Sequence, residues 1–178
     1  MDFEPLLSTQ VHPAIAAAAR HCHEISANRE MPRRQDFRPS QVRDGMGYLF
    51  LVTLLADEHE YYFPLGGEHI AVLFGHDLAN MRLSQLGEET LIARMRRTYD
   101  FVLSKRTFQY IRGRYAWPDR AVDIERLLVP MTGKDGGVNT ILGLVVPNVP
   151  SDMLVVYAGV GAATLEIDEE ISGALPVS

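Results

Sequence analysis

The second half of this 178-residue chain contains three strand-length segments separated by short turn sequences. The segments are Thr107 to Trp117, Val122 to Met131 and Val138 to Val146. The separators are Pro118-Asp119-Arg120 and the glycine-rich stretch from Thr132 to Gly137, and both are typical of turns. Because strands joined by short turns pair antiparallel, the sequence predicts an antiparallel sheet.

The first half supplies two more strands and the helices that would cover the sheet. Tyr48 to Ala56 is a nearly continuous apolar run, and Tyr61 to Leu65 follows it after a polar turn, which predicts a hairpin. Glu88 to Arg106 carries its apolar residues on one helical face and predicts the main helix. Shorter helices are predicted over Glu68 to Phe74 and from Pro13 onwards. The expected fold class is α+β, with an antiparallel sheet, helices crossing one face, and an N-terminal helix.

Composition and charge limit the location and the partners. The length fits one domain, and no stretch approaches the ~20 apolar residues that span a bilayer, so no membrane protein is expected. The acidic start at Met1-Asp2-Phe3-Glu4 is unlike a secretory signal, and the single Cys22 fits a reducing compartment, so we expect a cytoplasmic protein. The net charge of -6 disfavours nucleic-acid binding, although Arg94 to Arg126 is locally basic.

Three local sequence patterns resemble those of a bacterial family of PAS-like proteins, whose members often consist of little else. The first pattern lies within Met31 to Pro39, the second within Leu65 to Leu78, and the third within Leu128 to Gly143. One position departs from the family: Asn80 stands where a glycine is usual, and asparagine tolerates the left-handed backbone that such a turn requires. The resemblance implies a five-stranded antiparallel sheet whose concave face, closed by helices, can enclose a ligand.

The resemblance also divides the chain into segments. It predicts an N-terminal helical extension over 1–30, a PAS-like domain over 31–147, and a C-terminal extension over 148–178. The last segment contains an apolar run and an acidic run, Thr164 to Ile171, either of which could add a strand. The alternative is that the acidic run is a solvated terminus.

The function implied by the resemblance is sensing or regulation through a small ligand or a signalling protein partner. PAS domains hold haem, flavin, small acids or nothing, so the cofactor remains unknown. The alternative is a structural interaction module with a filled core and no ligand. No enzyme is expected, because Gly159-Val160-Gly161 lacks the remainder of a dinucleotide fingerprint and no nucleophile motif occurs. The chain leaves no room for an output domain, so we expect the signal to leave through protein contact or dimerisation.

The expected pocket lining comes from the sheet and the main helix, although the same residues would equally form an ordinary core. A strand-borne arginine among aromatic residues is costly to bury, so we expect Arg112 to point inward and hold an anionic group. The candidate ligand-binding residues are Tyr61, Phe63, Leu73, Phe74, Met95, Tyr99, Tyr110, Arg112 and Met131.

Several histidines and the cysteine invite a metal or cofactor interpretation. His21, Cys22 and His23 are adjacent, whereas ligands on one helix favour a spacing of three or four residues, so we expect Cys22 to be a core residue. His69 and His76 flank a short helix and could ligate haem iron, against the simpler interpretation as surface or capping residues. A flavin adduct would need a cysteine near the pocket, and the N-terminal position of Cys22 excludes it.

Cations and aromatic residues interleave between Tyr110 and Trp117, a pattern that nucleic-acid binders use. Strand alternation sends Tyr110, Arg112 and Arg114 to one face of the strand. It sends Tyr115 and Trp117 to the other, so a continuous stacking surface is not expected. We expect aromatic residues in the core and arginines at the rim.

The N-terminal helix carries a narrow apolar stripe that has to pack against another surface. The stripe predicts a homodimer in which two such helices meet, because its small residues permit close approach. The competing interpretation is that the helix folds back across its own sheet. The stripe consists of Ile15, Ala18, Cys22 and Ile25.

Overall fold

The computed structural model describes residues 1–26 and 29–172, and within these one antiparallel sheet organises the chain. The strand order is β3-β2-β1-β6-β5-β4-β7, and every neighbouring pair is antiparallel. The strands are β1 (Leu49–Leu55), β2 (Glu60–Gly66), β3 (Met81–Arg82), β4 (Gln109–Ala116), β5 (Ala121–Thr132), β6 (Val138–Pro147) and β7 (Thr164–Ser172). The α-helices are α1 (Glu4–Leu7), α2 (Pro13–Ser26), α3 (Glu68–Phe74) and α4 (Glu89–Lys105).

The sheet has seven strands rather than the predicted five. The five predicted strands form its centre, and the two-residue β3 and the acidic β7 extend it at the two edges. Strand β7 pairs with β4 along its whole length, which gives partners to backbone groups that an edge strand leaves open. A register shift lies between Arg112 and Gly113, where a side chain at position 113 would collide with the backbone carbonyl of Glu166.

Strand alternation gives the sheet two buried faces with separate cores. Helices α3 and α4 cover one face, here called the α4 face, where Phe50 and Val52 of β1 point. Helix α2 covers the other, here called the α2 face, where Leu49 and Leu51 point. The prediction of helices on one face plus an N-terminal helix therefore holds, with α2 covering the opposite face.

Helix α2 buries its apolar stripe against the sheet of its own chain. Ile15, Ala18 and Cys22 are completely buried in the core of the α2 face, and Ile25 is partly buried beside them. The competing interpretation, internal packing, is therefore correct, and the stripe is not available for the predicted homodimer. Burial raises the pKa of the Cys22 thiol, because the charged thiolate would lose its hydration.

The C-terminal extension is part of the same structure. A 3-10 helix, Ser151–Tyr157, follows β6, and Leu154, Val160 and Ala163 are buried in the core of the α4 face. The Gly159 N–H donates a hydrogen bond of 2.8 Å to the Leu73 carbonyl of α3, which ties this segment to the helix layer. Within the two described ranges, no helix has the length and apolar character needed to cross a membrane.

Candidate functional site

Helix α4 crosses the sheet and leaves a small cavity beneath it. The cavity has a volume of about 30 Å³, close to the space one water molecule occupies in the liquid. Its wall combines apolar side chains from the sheet with polar side chains from α4 and β5. The lining residues are Phe50, Phe74, Leu91, Arg94, Met95, Thr98, Tyr99, Tyr115, Arg126, Leu128 and Val145.

Aromatic rings occupy the space on one side of the cavity. Phe50 lies directly opposite Gly143 on the neighbouring strand, and a side chain at position 143 would collide with the Phe50 ring. The glycine therefore gives the ring its place on the sheet surface. Phe63 continues the cluster, with ring centroids 6.2 Å from Phe50 and 6.4 Å from Tyr99.

The polar atoms next to this cluster are already paired. The Tyr61 hydroxyl donates a 2.6 Å hydrogen bond to Asp100 Oδ1, and burial together with this bond raises the pKa of Tyr61. Arg96 lies 5.7 Å above the Tyr61 ring and pairs with Glu60 at 3.0 Å. These contacts fix α4 to β2 and leave little capacity for a ligand.

Arg126 is different, because its charge lies under α4 without a counter-charge. Its Nη2 donates a 2.8 Å hydrogen bond to Gln109 Oε1, and Gln109 in turn donates to Glu170. Its Nε is buried and makes no hydrogen bond, and burial lowers the pKa of the guanidinium. Among the residues that the structure describes, no carboxylate lies within salt-bridge distance of Arg126.

Arg94, on α4, is the second cation of the cavity. Its Nη1 donates a 3.1 Å hydrogen bond to the Ala163 carbonyl, and it pairs with no carboxylate in the described part of the chain. The cavity thus holds two cations without a carboxylate partner among the described residues, whereas seven arginines elsewhere are paired with acids. The paired arginines are Arg29, Arg82, Arg96, Arg106, Arg112, Arg114 and Arg120.

Six of the nine predicted pocket residues lie together on the α4 face. Three of them line the cavity, and the other three are buried in the core around it. Whether any of them contacts a ligand stays a prediction. The lining three are Phe74, Met95 and Tyr99, and the surrounding three are Tyr61, Phe63 and Leu73.

The other three residues, Tyr110, Arg112 and Met131, lie on the opposite side of the sheet, so they do not share this cavity. Tyr110 and Met131 are buried in the core of the α2 face. Arg112 pairs with Glu169 at 2.9 Å and with the Gln10 carbonyl at 2.7 Å, so the expectation of an inward arginine at this position is wrong. The physical reason is strand alternation: even-numbered residues of β4 point away from α4.

Sequence reasoning missed Arg94, Tyr115 and Arg126. A signal for Arg126 was present, because it occupies the same strand face as Val122, Ile124 and Leu128, all three buried on the α4 face. A lone arginine in phase with three buried residues on a strand predicts a charge that enters the core. Arg94 carried no comparable signal, since cations are common on exposed helix turns.

The histidines do not form a cofactor site at the cavity. The His69 ring packs at a tilt against Tyr48, with ring centroids 4.5 Å apart, and His76 is exposed after α3. Cys22 is a core residue, as predicted, and His23 beside it is exposed. Over 1–26 and 29–172, no group of three His, Cys, Asp or Glu side chains could hold a metal ion.

The basic and aromatic residues of β4 divide between the faces as predicted. Tyr110 is buried towards α2, whereas Tyr115 is buried towards α4. Arg112 and Arg114 pair with Glu169 and Asp123. The strand therefore does not present a continuous surface for base stacking.

A larger groove lies elsewhere, between the connector that follows α2 and the turn between β5 and β6. It has a volume of about 430 Å³, opens to solvent, and includes Arg33 and Lys134 in its wall. Its Arg29 and Arg106 are already paired with carboxylates of the chain. Its Arg33 and Lys134 have no carboxylate partner in the described residues, but both are exposed to solvent. The cavity under α4 is the better candidate, because its two unpaired cations are partly buried beside an apolar core.

A family model described as a PAS domain matches residues 10–146, more than three quarters of the chain. This range begins before the Met31 boundary expected from the sequence and ends just before the C-terminal extension. No curated protein matches the chain.

Two solved structures of VqmA are similar to 66% of this chain, each with 12% identity and a TM-score of 0.46. One is the Vibrio cholerae VqmA dimer in the absence of its target DNA, of which the similar region covers 56%. The other is VqmA bound to DPO, of which it covers 60%. The chain thus spans less than two thirds of either VqmA chain, and similarity at this level does not establish a shared function.

Proposed function

The chain belongs to the PAS domain family, and we propose that it is a sensory module that binds a small ligand in the cavity beneath α4. One observation carries the proposal: Arg94 and Arg126, two cations without carboxylate partners in the described chain, line a cavity in an otherwise apolar core. We propose a binding role rather than a catalytic one. The described lining holds no His, Cys, Asp or Glu that would act as a nucleophile or general base.

A ligand larger than one or two atoms requires the cavity to open. Ligand sites usually measure roughly 300 to 1,000 Å³, whereas this cavity measures about 30 Å³. Met95 and Phe74 line the cavity, and a methionine side chain adapts its shape at low cost. Ligand binding would therefore favour a conformation in which α4 lies further from the sheet.

The contacts of α4 and α3 link a movement of α4 to the segment between β6 and β7. Arg94 of α4 is hydrogen-bonded to Ala163, just before β7, and Gly159 is bonded to α3. A shift of α4 would move the segment between β6 and β7. That segment exposes Val155 and Val156, which we propose as a contact surface for a signalling protein or a second copy of the chain.

A second candidate function is an interaction module with a filled core. The small volume of the cavity favours it, as do the exposed apolar side chains Val72, Met153, Val155 and Val156 around the Ser151–Tyr157 helix and α3. The two candidates share the contact surface and differ in whether the cavity holds a ligand.

Native mass spectrometry of the purified protein and thermal unfolding with a library of small metabolites separate the two candidates. We expect a bound mass or a raised Tm for the unmodified chain. Val145→Phe fills the cavity and should abolish the effect. Val146→Phe is the matched control, because Val146 points to the α2 face and the overpacking cost of about 1–3 kcal/mol should be similar.

Circular dichroism establishes that each variant is folded before binding is compared. A ligand effect that survives in Val145→Phe would place the binding site elsewhere. A chain that carries no bound mass and responds to no compound would favour the filled-core module.

A further inference from the structure

Neither family membership nor packing accounts for the charge at position 126. Arg126 occupies a strand face between Ile124 and Leu128, both buried, where an apolar residue would pack without a charge. Its one described hydrogen bond, to Gln109, uses one of the five N–H donors of a guanidinium. The buried Nε–H makes no hydrogen bond, and the Arg126 side chain lines the cavity.

The arrangement is costly in the absence of a ligand. A partly buried guanidinium without a carboxylate partner loses hydration, and the single hydrogen bond from Arg126 to Gln109 replaces only part of it. Arg94 increases this cost, because two guanidinium groups line the same cavity and repel each other. A bound anion would offset both contributions.

We propose that the ligand is a small organic acid whose carboxylate is held by Arg126 and Arg94; this inference rests on the proposed function of the cavity. A planar carboxylate matches the fork of a guanidinium and accepts two parallel hydrogen bonds. Phe50, Leu128 and Val145 on the remaining walls contact an apolar body.

The same walls disfavour inorganic phosphate. Phosphate carries oxygens in every direction, and those facing Phe50 or Val145 would be buried without a hydrogen-bond donor. A carboxylate places both oxygens on one side, and the rest of the molecule can be apolar. The chemical class is therefore a monocarboxylate with a small hydrocarbon portion.

The test measures thermal unfolding of the full chain with the sodium salts of formate, acetate, butyrate and benzoate. Sodium chloride keeps the ionic strength constant, sodium phosphate is the competing anion, and benzamide is the neutral counterpart of benzoate. We expect at least one carboxylate to raise the Tm in a saturable manner, and phosphate and benzamide to leave it unchanged.

Arg126→Met should weaken carboxylate binding at least about tenfold, because hydrogen bonds to a charged group are lost. The matched control is Arg112→Met, which removes an arginine paired with Glu169 on the other face and should bind like the unmodified chain. Without ligand, Arg126→Met should melt at the same or a higher temperature, because methionine replaces a partly buried charge that has no carboxylate partner in the described residues. A lower Tm with unchanged carboxylate binding would assign Arg126 a purely structural role and overturn the inference.

Benzamide, which is neutral, distinguishes two outcomes: that the cavity binds ligands other than anions, and that the cavity binds no ligand. If benzamide binds as tightly as benzoate and Val145→Phe abolishes both, the cavity is a ligand site but not an anion site. If no carboxylate raises the Tm and the metabolite library also has no effect, both proposals are wrong.

Discussion

At the scale of single residues, His21 links helix α2 to the connector that follows it. It is buried, and its Nε2 accepts a 3.0 Å hydrogen bond from the Arg38 backbone N–H, which requires the neutral ring. Burial lowers the pKa of His21 below the usual value for a histidine side chain, although Glu24 acts in the opposite direction. The folded chain therefore binds this proton more weakly than the unfolded chain, and acid favours unfolding.

We predict that the free energy of unfolding falls as the pH drops below about 6.5, with a contribution from His21 of at most about 1.4 kcal/mol per pH unit. His21→Gln retains an acceptor for the Arg38 N–H but does not titrate, so it should flatten this dependence. Urea unfolding at pH 7.5 and pH 5.5 measures the difference. His76→Gln, at an exposed position, is the control and should keep the original dependence. An identical dependence in His21→Gln would show that other groups cause the acid response.

At the scale of elements, helix α2 takes the place that a partner helix would have in a dimer. Ile15 is completely buried against the sheet, whereas Ile25 on the same helix is only partly buried. Ile15→Ala should therefore cost about 2–5 kcal/mol of the free energy of unfolding, and Ile25→Ala distinctly less. Denaturant titration measures both variants, and light scattering reports their mass. If Ile15→Ala instead left stability unchanged and lowered the mass, the helix would pack against a second copy.

At the scale of the whole molecule, both extensions are part of the central structure. Cys22 is the only cysteine, and its labelling reports on the unfolding of α2. Trp117 is the only tryptophan, and it donates a hydrogen bond to the Gly159 carbonyl, so its fluorescence reports on the C-terminal segment. We predict that thiol labelling of Cys22 and fluorescence of Trp117 give the same urea midpoint, because the two cores share one sheet. Circular dichroism supplies a third probe of the same transition. Two separated midpoints would show that an extension unfolds independently of the PAS domain.

The sequence by itself determined the elements and much of the α4 face. Alternation in β4 and β5, the turns between β4, β5 and β6, and the 3.6-residue period of α4 are local patterns. They predicted the order of elements along the chain, antiparallel pairing across the turns and the separation of Tyr110 from Tyr115. Six of the nine expected pocket residues follow from the same periods to the α4 face, and their contact with a ligand stays a prediction. The sequence also identified the apolar stripe of α2. It predicted a second copy of that helix as the surface that covers the stripe, whereas the sheet of the same chain covers it.

Only the tertiary structure decided which face of each strand meets α4, and with it the composition of the cavity. Local periodicity separates the two faces of β4 but does not say which helix covers either, so Arg112 was assigned to the wrong side. The position of β7 beside β4 depends on pairing between residues 48 to 63 positions apart in the chain. The same holds for Arg94 and Arg126, which meet because α4 crosses β5. Contacts of this kind depend on how whole elements pack, and no local pattern encodes them.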